Sequence, residues 1–187
     1  MEGSKVLITA LVLIICAALL QLFGLASPYW ISDENSIDLG SSYVPTYAGL
    51  WKACDCSDTD DFLQSIDMSK RQLRTSQAMS ILGFLALMFA SVLTVIKLFF
   101  LKDRKPILFV AIGSVFIGAV FIIVSVRQFA ENVNDERLNK YNFRFHFAFS
   151  FCILAMLAAL VSGGVMLLEL RRKASQETQE RRQEEEK

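Results

Sequence analysis

The chain has 187 residues, with 19 Lys and Arg balanced by 19 Asp and Glu, one histidine and a mean hydropathy of +0.42. The zero net charge says nothing by itself about nucleic acid, but no basic domain is present and no nucleic-acid partner is expected. An apolar fraction of 53% points away from an ordinary soluble domain and toward a membrane protein.

Four stretches lack Asp, Glu, Lys, Arg and His: Val6–Leu25 (20 residues), Ala78–Ile96 (19), Pro106–Val126 (21) and Phe147–Leu168 (22). A helix rises about 1.5 Å per residue and the hydrocarbon core is about 30 Å thick, so each stretch is long enough to cross it. The predicted spans lie at about residues 6–26, 76–97, 106–127 and 146–169, in one domain of residues 1–173 followed by a charged tail, 174–187. The first run, with Lys5 before it and Gly24-Leu25-Ala26 at its end, has some features of a cleaved leader. Its length, and its passage into Pro28-Tyr29-Trp30-Ile31 as an interfacial aromatic anchor, favour a retained span.

The first loop, Ala26–Gln77, is 52 residues and too long for a bare connector. Trp30-Ile31 and Tyr47-Ala48-Gly49-Leu50-Trp51 are short aromatic or apolar runs bounded by turn residues, which suits a small strand pair packed on the helix ends. Cys54 and Cys56 are a candidate disulfide, although a one-residue spacer permits a bridge only if the chain bends at Asp55. Asp55, Asp58, Asp60 and Asp61 form an acidic cluster. It lacks the glycine and closing glutamate of a calcium loop, so it reads as a solvated surface or as one that attracts cations. Phe62–Thr75 reads as a helical lead-in to the second span, compatible with lying at the headgroups.

The nine residues Lys97–Lys105 hold four bases against one acid, and the fourth span exits into Arg171-Arg172-Lys173. The first loop instead holds eight acids against four bases. Lys and Arg in short loops mark the cytoplasmic side, which predicts both termini inside and the two longer loops outside. The second of these, Arg127–His146, carries four bases of its own and is assigned outward by the even number of spans. Small residues recur every fourth position at Ala155, Ala159 and Gly163, at Ala86, Ala90 and Thr94, and at Ser114 and Gly118, as expected for close helix packing. The tail reads as a solvated helix, with Ser175 after Arg172-Lys173-Ala174 a candidate phosphosite, and it ends without the apolar residue that PDZ-type scaffolds need.

Catalytic machinery is not in evidence. The lone histidine, His146, stands at the end of the fourth span, no carboxylate lies inside the four charge-free stretches, Glu169 standing at the cytoplasmic boundary, and Cys16 and Cys152 fall in apolar runs as packing residues. The expectation is therefore a protein that is not an enzyme, with no catalytic residues, no metal and no cofactor.

Trp30, then Gly49-Leu50-Trp51, then Cys54 and Cys56, in the long first loop of a four-span chain, resembles the W…GLW…C…C signature of a tetraspan superfamily. Its members are the claudins, peripheral myelin protein, the epithelial membrane proteins and lens membrane protein. Leu73 through Gln77-Ala78 to Ile81-Leu82 looks more like the epithelial membrane protein branch, since claudins usually carry arginine where Gln77 stands. The close cysteine spacing and the absence of a glycosylation sequon in either long loop depart from that pattern.

The resemblance implies an all-α membrane protein, a left-handed four-helix bundle with a small extracellular antiparallel β-sheet from the first loop. Trp30 and Trp51 would pack between sheet and bundle, and the disulfide would hold the sheet. It implies a structural and adhesive protein of the plasma membrane at cell–cell junctions, with a possible paracellular barrier role. Its partners would be the lipid bilayer, other tetraspans or itself in cis or in trans, or a channel, receptor or integrin-type membrane protein. The alternative is an auxiliary subunit of an ion channel or receptor.

Overall fold

The computed structural model describes residues 2–33, 37–38, 43–44, 47–51, 53–54, 60–100, 105–133 and 143–185. Its main elements are four helices, α1 (Glu2–Ala26), α2 (Asp60–Phe99), α3 (Lys105–Val133) and α4 (Phe147–Glu185). Stretches long and apolar enough to cross a membrane run Lys5–Ala26, Arg74–Phe99, Pro106–Glu131 and Phe147–Glu184. The protein therefore has a four-span membrane topology. The lead-in and second span form one continuous 40-residue helix, with no break at which the lead-in could turn into the headgroup plane.

Packing follows from what a bilayer rewards. Lipid tails are as apolar as leucine, so burying leucine between helices gains little, whereas small residues let backbones approach. Ala10 and Ala17 on α1, Ala90 on α2, Ala111 and Ala119 on α3, and Ala155 and Ala159 on α4 are fully buried. Large apolar side chains point outward, among them Val12 and Phe23 on α1, Leu85 and Phe89 on α2, Ile117 on α3 and Val161 on α4. So large an exposed apolar surface suits lipid and would drive aggregation in water.

The helices form a ring in chain order. α1 packs most extensively on α4 and α2 on α3, and the two pairs meet through α3 with α4 and α1 with α2. The α2–α3 crossing is close at Gly83 and Gly118: a Cβ at Gly83 would lie 2.8 Å from Ile122 Cγ1 and 3.2 Å from the Gly118 carbonyl oxygen. At the other end of α1, a Cβ on Gly24 would lie 2.5 Å from Cys152 Sγ, so α1 and α4 are nearly in backbone contact there. Hydroxyls stitch the same pairs. Ser162 Oγ donates to the Ala10 carbonyl oxygen (2.9 Å), and Ser76 and Ser125 exchange hydroxyl-to-carbonyl bonds of 2.7 and 2.8 Å between α2 and α3.

The expected fold class needs correction in its non-helical part. The expected single sheet supplied by the first loop is not what forms: among the described residues the strands divide into a four-stranded sheet that takes one strand from the second connection and a separate two-stranded ladder. The strands are β1 (Ile31–Asp33), β2 (Ile37–Asp38), β3 (Tyr43–Val44), β4 (Tyr47–Ala48), β5 (Ala53–Cys54) and β6 (Phe143–Phe145). β2 and β3 pair only with each other, while the order β5-β4-β1-β6 brings in a strand from the second connection. Ile31 faces Ala48 on one side and Phe145 on the other, and all pairings are antiparallel. The Phe143-Arg144-Phe145 alternation was too short to stand out in the sequence. Trp30 and Gly49-Leu50-Trp51, expected within a strand pair, lie outside every strand. The physical reason is that these residues are bonded to helix ends and to α2, which leaves only two or three residues on either side for a ladder.

The close α2–α3 approach yields a prediction. Gly83→Leu should destabilise the bundle by ~1–3 kcal/mol through overpacking, lowering the melting temperature in detergent. Gly164→Leu should stay within about 0.5 kcal/mol of the parent, because a Cβ at Gly164 meets nothing within 4 Å.

Candidate functional site at the sheet end of the bundle

The C-terminal turn of α1 explains why two tryptophans stand where they do. The last carbonyls of a helix have no partner within it. The Phe23 carbonyl oxygen accepts from the Ser27 N–H at 3.1 Å. The next, that of Gly24, would accept from residue 28, which is Pro28 and has no N–H. The Trp30 indole fills that place, its Nε1 donating to the Gly24 carbonyl oxygen at 2.8 Å. The Leu25 carbonyl oxygen would ordinarily take the Tyr29 N–H, but that group turns to Ser27 Oγ at 3.3 Å. Trp51 Nε1 donates to the Leu25 carbonyl oxygen instead, at 2.7 Å. Two indoles from different parts of the chain thus cap one helix.

The two caps differ in surroundings. Trp30 is fully buried, with its ring edge-on to Phe129 of α3 (centroids 4.6 Å) and to Phe149 of α4 (6.0 Å). It therefore ties three helices together. Trp51 is 49% exposed and sits at the rim, as suits an amphipathic ring at a bilayer surface. Between them, Leu50 is fully buried, and its carbonyl oxygen accepts from Gln77 Nε2 of α2. Gly49 is required by contact: a Cβ there would lie 2.5–2.6 Å from the Pro28 backbone. Beside this lock, the backbone N–H of His146 donates to the Trp30 carbonyl oxygen at 2.8 Å, and the His146 ring joins Tyr29 and Phe147 (centroids 5.9 and 4.9 Å).

The sequence singled out Trp30, Gly49, Leu50 and Trp51, and these converge on the end of α1. Cys54 is in β5 opposite Tyr47, but its side chain and all of Cys56 lie outside the described residues, as do Asp55 and Asp58 and the side chains of Asp60 and Asp61. Among the described residues no disulfide forms, Cys16 and Cys152 being free thiols, and none of them groups three metal-ligating side chains. Ser175 is exposed on the far stretch of α4, remote in sequence from the lock. Sequence reasoning missed the partners: Pro28 as the cause of an orphan carbonyl, Gln77 as the tie to α2, and Phe129 and Phe149 as the ring pocket. Proline four residues after Gly24, at the end of an apolar run, was the available signal.

A four-span bundle whose first connection is bonded back onto the end of α1 by Trp30 and Trp51, and onto α2 through Leu50, defines a class of tetraspan membrane proteins. The chain belongs to the PMP-22/EMP/MP20/Claudin family, whose model matches residues 3–167 and so takes in the whole lock, all of α2 and α3, nearly all of α1 and the first part of α4. No curated protein gives a significant match to the sequence. The family is a non-catalytic, structural one, so the chain is not an enzyme; its general role is structural or adhesive, and its members associate with themselves and with membrane partners.

The lock predicts graded losses. Trp30→Phe keeps a ring but leaves the Gly24 carbonyl buried and unpaired, and should cost ~1–3 kcal/mol. Trp51→Phe, at a half-exposed position, should cost ~0.5–1.5 kcal/mol. Thermal unfolding in detergent should rank the parent above Trp51→Phe and Trp51→Phe above Trp30→Phe. The reverse order would show that the buried cap is not the more important one.

Proposed function

We propose that this protein is an adhesive tetraspan of the plasma membrane that organises cell–cell contacts, with both termini cytoplasmic and the sheet end outside the cell. The observation that carries this reading is the lock itself. The Trp30 and Trp51 indoles bond to α1 and Gln77 of α2 holds the Leu50 carbonyl, so these two segments form a fixed platform at the sheet end. A fixed platform can be matched by a partner without the entropic cost of ordering a long loop on contact. The charge distribution supports the orientation, with basic residues at Lys97–Lys105 and Arg171–Lys173 and the acidic excess in the first connection.

Within the family, Gln77 favours the epithelial membrane protein branch, and its role in holding the Leu50 carbonyl gives that position a physical meaning. Should the protein line a paracellular path, Asp55, Asp58, Asp60 and Asp61 give it a preference for cations. A pairing of Cys54 with Cys56 would further brace the same connection.

Two measurements test this. A tagged copy expressed in cells that lack junctions should concentrate where two expressing cells touch, whereas uniform surface staining and co-purification with one large channel or receptor would favour an auxiliary subunit. In epithelial monolayers, replacing the four aspartates by asparagine should lower the sodium-to-chloride permeability ratio. An unchanged ratio would remove the barrier role from the reading.

A further inference from the structure

Among the described residues, two buried side-chain oxygens have no hydrogen-bond partner, Gln21 Oε1 and Gln128 Oε1. Gln21 is fully buried on α1, five residues from the helix end and therefore about 8 Å inside it. Its Nε2 donates to Ser80 Oγ of α2 at 2.8 Å. Ser80 lies one turn from Ser76 on the same helix face, and Ser76 is bonded to Ser125 of α3 at 2.7 Å. Gln128 is three residues beyond Ser125 on α3. The five side chains thus form a polar file that starts in the α1–α2 seam, crosses α2 and reaches the sheet end along α3.

Reversing the Gln21 amide does not complete it. Its oxygen could then accept from the Ser80 hydroxyl, but both amide hydrogens would be left without acceptors. An unpaired amide group inside a bilayer is costly, and neither lipid nor a partner chain reaches a side chain with no exposed surface. The missing donor has to be small, neutral and able to enter from the sheet end. We infer that the file is a hydration site in which resident water donates to Gln21 Oε1, with a second water at Gln128 Oε1 on the way to the surface. The polar seam joins the two tightly packed helix pairs, α1 with α4 and α2 with α3. Water there completes a side-chain bond between α1 and α2 without requiring the close backbone approach seen within each pair.

Water–protein cross-relaxation on the full chain in lipid nanodiscs, with glutamine side-chain amides labelled, tests the site. The Gln21 resonance is assigned by its disappearance in Gln21→Met. If that variant fails to fold, Ser80→Ala, which shifts the same resonance by removing its acceptor, makes the assignment. The expected result is a water cross-peak at the Gln21 amide together with deuterium exchange at least ten-fold slower than at exposed Gln179. A Gln21 amide with no water cross-peak, while Gln179 shows one, would overturn the proposal. So would an experimental map in which Gln21 Oε1 accepts from a protein donor.

Discussion

The capping of α1 is the constraint from which the sheet end is built. A proline four residues after Gly24 removes the N–H that would have closed the helix, and the resulting carbonyl is buried where water cannot serve it. One indole N–H satisfies it, and a second, from twenty-one residues further along, satisfies its neighbour. Because the second donor is distant in sequence, the cap also ties the Gly49-Leu50-Trp51 segment to the end of α1. Gly49 allows that segment to lie against Pro28, and Gln77 holds it from the other side. Local backbone chemistry has become a long-range tie.

The bundle below follows a different rule. In water a helix hides its large side chains; here many of them, such as Phe23, Leu85 and Phe89, face outward while alanines line much of the interior. Specificity then has to come from close approach and hydrogen bonds, since burial alone does not distinguish one apolar face from another. Gly83 against Gly118 and Gly24 against Cys152 supply the first. The serine pairs of α2 with α3 and the Ser162 bond of α4 to α1 supply the second. Glu169, nearly buried on α4 just past its apolar run, sits 3.7 Å from Lys173 and so carries its counter-charge one turn away.

These two levels meet in the function. A rigid bundle alone would anchor a chain in the membrane, and a loop alone would be a variable tether. The tryptophan lock bonds Trp30 and Trp51 to the bundle, which gives a family devoted to membrane structure and adhesion a held segment at that end.

The sequence by itself determined the number of spans, the small-residue stripes and the family, because apolar length, residue size and the Trp30 and Gly49-Leu50-Trp51 spacing are local properties of the chain. Those stripes are indeed buried at Ala90, Ala155 and Ala159. It also singled out Trp30, Gly49, Leu50 and Trp51 without revealing what they bond to. Only the tertiary structure decided that Trp30 and Trp51 cap the same helix, that Gln77 joins them, and that Phe143–Phe145 completes a sheet expected from the first loop alone. The reason is that a donor and its acceptor, or two strands more than a hundred residues apart, carry no mutual signal until the bundle brings their helix ends together.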